Sequence, residues 1–485
     1  MSIEQRAFQG ASWLAIFKAI GQIVSWAATV IVARILVPDD YGLMSMATVL
    51  TGYAALFSEL GLGAAIIQRE GITEENLASV YWFGVAFSIL LGAFAFVIAW
   101  PTALLFDNKD VVPITRATSI LFFIAGLEIV PLSMLKKELA FKKIGYIEMT
   151  ATIVSCISMV IIAAAGFGVW TLLIGNIIRS LIKVILLYSI TGWRPLFHFE
   201  LNEAISFIKF GVTVAVGNSL FYVYSRSDKF FAGRNLGVAD LGYYSFAQQL
   251  ASIPTEKIVT IINQISFPAF SKLQEDREKF NQFYLSIIKI TSVVVLPIFA
   301  AGFCLGSDFV RLLLSDKWVA IIPLFQCFCL IRIFTSISAV NNFVHTARGN
   351  PYLSMWFNAW MAFSMPLAFA FSVKYGVNGM LIPWFTIYVL SCVVWILITL
   401  SLIGLDISSF MSKIIHPIIA TSTMSILLLS LNRLNLFNSQ EFLGMLFALV
   451  VKLLAGATYY FCYIYLFDKE VWFSLKKNVL RRSVG

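Results

Sequence analysis

An all-α polytopic membrane protein is the fold class that the sequence predicts. It has about 14 transmembrane helices, set out as two parallel six-helix repeats with a C-terminal helix pair appended. Three observations predict it. Of 485 residues, 59% are hydrophobic and 13% charged, where a soluble domain holds roughly 45–50% apolar and 25% charged residues, and mean hydropathy is +0.86. Apolar runs of about 20 residues, enough to cross a hydrocarbon core of roughly 30 Å, recur along the whole chain and leave no soluble domain between them. Finally, an element recurs: residues 33–42 read ARILVPDDYG and residues 233–242 read GRNLGVADLG.

In chain order the expected spans are 10–34, 42–66, 78–105, 115–135, 146–166, 168–190, 204–232, 241–268, 283–306, 320–345, 352–373, 377–403, 413–432 and 443–467. The first runs past signal-peptide length without a small-residue cleavage site and therefore stays as a helix. The fourth and fifth are parted by Lys136, Lys137, Lys142 and Lys143. The fifth and sixth are parted only by Gly166-Phe167-Gly168, a glycine turn of the kind a tight hairpin needs. With the N-terminus inside, inner segments hold roughly 18 Lys and Arg against roughly 8 outside, which orients both termini to the cytoplasm. The formal charge of +9 sits mostly in those inner segments. Orientation and anionic headgroups account for it, and it calls for no nucleic-acid partner.

Cysteine and histidine point to no chemistry. Cys156, Cys304, Cys327, Cys329, Cys392 and Cys462 lie scattered in apolar spans without redox or zinc spacing, and His198, His345 and His416 stand apart. The sequence has no phosphate-binding P-loop, no G-x-S-x-G elbow and no H-E-x-x-H. The expectation is a chain that is not an enzyme, with no metal and no cofactor.

The repeat extends beyond its motif. Arg34, Leu36, Asp40 and Gly42 pair with Arg234, Leu236, Asp240 and Gly242. In the preceding spans Lys18 pairs with Asn218, Gln22 with Tyr222, Ser25 with Ser225 and Thr29 with Lys229. Their i, i+4, i+7, i+11 spacing puts each set on one helix face, and in lipid such a stripe should face protein or water. Ser245, Gln249, Ser252, Glu256, Thr260 and Asn263 form a similar face in the eighth span; the second keeps only Ser45, with Glu59 alongside. Gly168-Val169 and Leu173-Ile174 are echoed by Gly376-Val377 and Leu381-Ile382. These registers divide the chain into an N-terminal lobe 1–200, a second lobe 201–404 and a terminal helix pair with its tail, 405–485. An even number of helices per repeat makes the halves parallel, the geometry of transporters whose halves rock about a central cleft. The doubled motif then reads as the same tight outer turn in each half, with Arg34, Arg234, Asp40 and Asp240 fixing it and Gly42 and Gly242 permitting a positive φ.

The stretches GLGAAIIQREGITEENL, LKKELAFKK, AGFGVWTLL and FGVTVAVGNSLFYVYSRSDKFFAGRNLG resemble bacterial polysaccharide transporters. Those proteins flip lipid-linked oligosaccharides and belong to the multidrug/oligosaccharidyl-lipid/polysaccharide exporter superfamily. The resemblance covers nearly the whole chain. It implies two six-helix lobes plus helices 13 and 14, and transfer of an undecaprenyl-pyrophosphate-linked repeat unit to the outer leaflet for lipopolysaccharide or exopolysaccharide synthesis. It implies no fixed catalytic residues. A drug exporter of the same superfamily should have a more acidic cleft than this chain offers, and a membrane glycan polymerase or ligase should have a sizeable outer loop. The expected partners are the lipid-linked substrate, membrane lipids, and a polysaccharide polymerase and glycosyltransferases handling the same carrier; the protein itself is expected to be a monomer.

A pyrophosphate-linked sugar needs cations for its phosphates, and amides, hydroxyls and aromatic faces for its glycan. The candidate substrate residues are Lys18, Gln22, Asn218, Tyr222, Arg226, Lys229, Gln249, Arg332 and Asn342. Arg179, Lys183, Thr335, Ser338 and His345 lie near them in the spans. Glu59, Glu256 and Asp228 are the candidate ion-coupling carboxylates. Lys18 lies about two turns inside its span and heads the polar stripe, whereas Lys183, Lys229 and Arg34 lie within snorkelling reach of span ends.

Overall fold

The protein is described here by a computed structural model covering residues 3–57, 62–200, 219–434 and 442–468. Among these residues every regular element is a helix, and eleven helices are long and apolar enough to cross a membrane. The outside of the molecule is apolar: Val97, Leu104, Phe371 and Leu443 are 70–76% exposed. Water would penalise such a surface, and lipid does not.

The chain divides into two compact units, Met1–Gly242 and Tyr243–Gly485. The first begins with α1 (Ile3–Ile35), α2 (Pro38–Ala55), α3 (Leu62–Gln68), α4 (Glu74–Val97) and α5 (Ala99–Phe106). It continues with α6 (Val111–Lys137), α7 (Phe141–Ala164), α8 (Trp170–Thr191) and a helix at residues 219–235, here α9. α1 lies along α7, α7 along α8, and α6 packs on both α4 and α8. The expected glycine hairpin joins α7 to α8, with Gly166 at φ +82° and Gly168 at φ +53°. The expected third span is α4 and α5 in succession, and the second is α2 followed, beyond residues outside the description, by α3.

The second unit holds most of α10 (Val238–Lys272), then α11 (Arg277–Cys304), α12 (Gly306–Leu313), α13 (Ile322–Ala347), α14 (Pro351–Ser372), α15 (Gly376–Gly379), α16 (Val389–Ile403), α17 (Ile407–Arg433) and α18 (Phe442–Phe467). Asp276 caps α11, accepting from Lys279 N at 3.1 Å. The hydrogen bond from the Lys279 side chain holds its carboxyl below the usual carboxylate range. A turn of π-helix at Trp384–Tyr388, directly after Pro383, interrupts the expected twelfth span. Proline lacks an N–H and breaks the regular ladder there.

α11 packs on α13 and α17, and α17 on α18. Two ion pairs bind α18 to this unit. Lys452 Nζ meets Asp308 Oδ2 at 2.6 Å, and Asp468, just past the helix end, meets Lys289 Nζ at 2.8 Å. Between them the Tyr460 hydroxyl donates to Val293 O at 3.0 Å. At 1.5 Å rise per residue the two clamps are separated by about 24 Å along the helix, most of a hydrocarbon thickness.

Candidate functional site

Four clusters hold the polar residues singled out by the sequence. The first is the stripe on α1. Leu14 and Phe17 meet Gly145 of α7, and Gly21 meets Met149 and Thr152, so positions 14, 17 and 21 form the seam with α7. Lys18, Gln22, Ser25 and Thr29 lie one residue further round, about 100° from that seam. Lys18 is exposed, the other three are half-buried, and Thr29 Oγ1 donates to Ser25 O at 2.8 Å. Packing on α7 thus leaves the stripe uncovered at its Lys18 end.

The second cluster is α9, which belongs to the first unit. The Tyr222 hydroxyl donates to the α2 carbonyls of Val49 at 2.9 Å and Thr48 at 3.1 Å. Gly52 lets it approach, because a β-carbon there would meet that hydroxyl. The Arg226 guanidinium sits 5.7 Å over the Tyr222 ring, within cation–π range. Asp228 is fully buried, and its Oδ1 accepts from Lys229 N at 2.7 Å. The Tyr222 hydroxyl therefore serves helix packing, while Arg226 is exposed.

The third cluster includes two residues that the sequence reading missed. Lys183 of α8 bridges Glu128 Oε2 of α6 at 2.6 Å and Glu148 Oε1 of α7 at 3.4 Å. Arg179 reaches the other oxygen of Glu148 at 3.4 Å. Two cations one turn apart on one helix inside lipid demand counter-charges, and that demand was the signal that Glu128 and Glu148 were needed. Lys183, at 18% side-chain exposure, is held within this network, and its counter-charges come from the protein.

In the second unit, Gln249 and Asn342 are exposed and Arg332 is half-buried. Thr335 accepts from the Tyr388 hydroxyl at 3.2 Å. His345, grouped with them by helical spacing, is fully buried, bonded to Thr399 Oγ1 at 2.8 Å and stacked on Trp395 at 4.2 Å. Those contacts make it a core residue and remove it from the polar face. Asn218 and Glu59 lie outside the described residues, as do the side chains of Glu256, Thr260 and Asn263.

The doubled motif forms the fourth cluster. Gly42 and Gly242 both lie inside the first turns of helices, α2 and α10, and neither has a positive φ. They are glycine for a different reason. A β-carbon on Gly42 would strike the carbonyl of Val238, and one on Gly242 would strike the carbonyl of Pro38. Val238 is the repeat partner of Pro38, so the two contacts are reciprocal: each helix start lies across the other, backbone to backbone. The left-handed residue is Gly237, at φ +93°. Asp40 Oδ2 accepts from Val37 N at 2.9 Å, closing the first turn. Arg234 Nη1 donates to Leu105 O at 2.7 Å, holding the second turn to the end of α5.

Comparison with known proteins agrees with this architecture. The family described as "Polysaccharide biosynthesis protein" matches residues 31–323. The lipopolysaccharide biosynthesis protein WzxC of Escherichia coli (strain K12) is 26% identical over 75% of this chain and 74% of its own. The teichuronic acid biosynthesis protein TuaB of Bacillus subtilis (strain 168) is 24% identical over 99% of each chain. Among solved structures, the lipid II flippase MurJ in an inward closed conformation superposes with a TM-score of 0.74, covering 94% of this chain and 99% of that one at 15% identity. At that identity the likeness speaks for the fold.

Proposed function

Because the chain belongs to the polysaccharide biosynthesis protein family, we propose that it is a flippase. It moves an undecaprenyl-pyrophosphate-linked oligosaccharide from the inner to the outer leaflet of the cell inner membrane by alternating access of two parallel six-helix lobes. Its relatives are named for lipopolysaccharide and teichuronic acid biosynthesis. The single observation that carries the reading to particular residues is the α1 stripe. A lysine in an apolar span, on a face clear of the α7 seam and followed by an amide and two hydroxyls, matches a diphosphate followed by a glycan. Lys18 would meet the diphosphate, Gln22 the first sugars, and Arg226 a second anionic oxygen.

Both termini would lie in the cytoplasm, and a polymerase and glycosyltransferases would work on the same carrier at either face. The reaction makes and breaks no covalent bond, so the chain acts as a transporter and not as an enzyme. The test is leaflet assignment of a labelled lipid-linked oligosaccharide in vesicles with and without the purified protein. Faster appearance in the far leaflet is expected with the wild type, and Lys18→Ala should abolish it at unchanged protein abundance. Equal rates with and without protein would remove the flippase reading; normal rates in Lys18→Ala would move the diphosphate contact elsewhere.

A further inference from the structure

The Lys183 network and the α1 stripe lie on one flank of α7, at one depth. Phe17 packs on Gly145 and Gly21 on Met149, so these two contacts bracket both Lys18 and Glu148, and their order makes α1 and α7 parallel. Lys18 follows Phe17 by one residue and Glu148 precedes Met149 by one. Seen down the two right-handed helices, the first therefore lies clockwise of the shared seam and the second anticlockwise of it. Opposite senses on facing parallel helices mean the same flank. α8 stands on that flank too: Ser155, two turns on from Glu148, donates to Gly175 O at 2.7 Å, and Met159 packs on the same glycine.

Depth and bonding single out Arg179 of α8. At 1.5 Å per residue it lies about 14 Å from Trp170 and about 18 Å from Thr191, deep in the span, yet its side chain is 50% exposed. A guanidinium at that depth calls for water or an anion and not hydrocarbon. Among the described residues its one hydrogen-bond partner is Glu148, reached from Nη2 to Oε2 at 3.4 Å, where charge-assisted N–H···O bonds run about 2.7–2.9 Å. That leaves the donors on Nε and Nη1 unused. Lys183 holds the other oxygen of Glu148 at 3.4 Å and Glu128 at 2.6 Å. Glu148 thus has two loosely held cations, and one remains when the other leaves.

We propose that Arg179 is a further diphosphate-binding residue beside Lys18, and that Glu148 is its exchangeable counter-ion. In the unloaded protein Glu148 holds Arg179. An arriving diphosphate, which outweighs one carboxylate in charge and fits the guanidinium fork, takes Arg179 while Lys183 keeps Glu148. A lipid without that charge leaves the pair closed, so the exchange selects for the diphosphate. This inference rests on the flippase reading and adds a residue pair to it.

The experiment titrates the purified, detergent-solubilised protein with undecaprenyl diphosphate, followed by native mass spectrometry. It compares wild type, Arg179→Ala, Arg179→Lys, Glu148→Gln and the double variant Arg179→Ala/Glu148→Gln, with the thermal midpoint of each as the check on folding. Arg179→Ala should weaken binding at least about tenfold, the weight of one charge-assisted bond, and Arg179→Lys should restore part of the loss. Glu148→Gln should tighten binding about twofold to fivefold, since a half-exposed ion pair no longer has to open, and should have no effect once Arg179 is absent. Should Arg179→Ala aggregate, Arg179→Gln gives the same readout. A purely structural pair would lower the midpoint in both single variants and leave affinity unchanged, which would overturn the proposal. Equal tightening by Glu148→Gln with and without Arg179 would make Glu148 a general repulsion and overturn the exchange. Binding that is lost in Lys18→Ala but unchanged in Arg179→Ala would overturn this inference alone, whereas a wild type that retains no undecaprenyl diphosphate would remove the flippase reading and this inference with it.

Discussion

The two copies of the repeated turn reach the same crossing by different routes. At the first, Val37 is extended (φ −106°, ψ 161°), Pro38 opens α2, and Asp40 closes the turn by accepting from Val37 N. At the second, the residue in the place of Val37 is Gly237 at φ +93°, the helix opens on Val238, and the turn is held from outside through Arg234 and Leu105 O. Gly42 and Gly242 alone do the same thing in both, each lying on the other helix's backbone. Backbone cannot move aside as a side chain can. The crossing therefore keeps its glycines, while the turn leading to it can be closed by any local means that orient the helix start.

The largest expected effect tests that reciprocity. Gly42→Val and Gly242→Val should each cost at least about 3 kcal/mol through overpacking against a carbonyl, and the two losses should be of similar size. Gel filtration of the extracted protein and its thermal midpoint measure this. A severe loss in one variant beside a neutral effect in the other would break the equivalence. Next in size is the difference between the entry residues. Gly237→Ala forces a β-carbon into the left-handed region and should cost about 1–2 kcal/mol, whereas Val37→Ala, at an exposed extended position, should stay within about 0.5 kcal/mol. Equal midpoints for these two variants would mean that the turns do not differ as described.

Smaller effects separate the two closures. Asp40→Ala removes the side-chain acceptor of the first turn and should lower stability by about 1 kcal/mol. Asp240→Ala should cost less, as its carboxylate makes no matching bond among the described residues. Arg234→Met should cost about 0.5–1 kcal/mol by freeing Leu105 O. In a cysteine-accessibility assay it should also raise labelling of a thiol placed at Asn235, while Arg34→Met should leave that site unchanged. Equal labelling in the two variants would remove the anchoring role given to Arg234.

Much of this architecture could be read along the chain. Hydropathy gave the membrane class, and the Gly166-Phe167-Gly168 hairpin appeared where a polar-free glycine turn had to be. The period of 200 residues picked out four matching positions in each turn, but sequence supplied the wrong reason for the glycine in both. A glycine after an aspartate reads as a turn residue needing positive φ, and only the position of Val238 and Pro38 identifies close approach as the cause. His345 failed in the same way: helical spacing aligned it with Thr335, Ser338 and Asn342, yet which side of α13 meets α16 is a packing matter, and Trp395 and Thr399 took the ring into the core. The partners of Lys183 were hidden because Glu128 and Glu148 lie 35 or more residues away in the chain, beyond any local pattern.

By itself the sequence determined the solvent of this protein and the period of its repeat. Both are sums over local composition: about 20 apolar residues cross a bilayer whatever they touch, and a duplicated register survives in side-chain identity. Tertiary structure alone decided which polar groups are already used and which remain open. Tyr222, Asp228, Lys183 and His345 are engaged within the protein, while Lys18 and Arg226 are exposed. The physical reason is that a polar atom in an apolar medium must find a partner, and whether that partner comes from the protein depends on which helix faces pack together, which is a property of three dimensions.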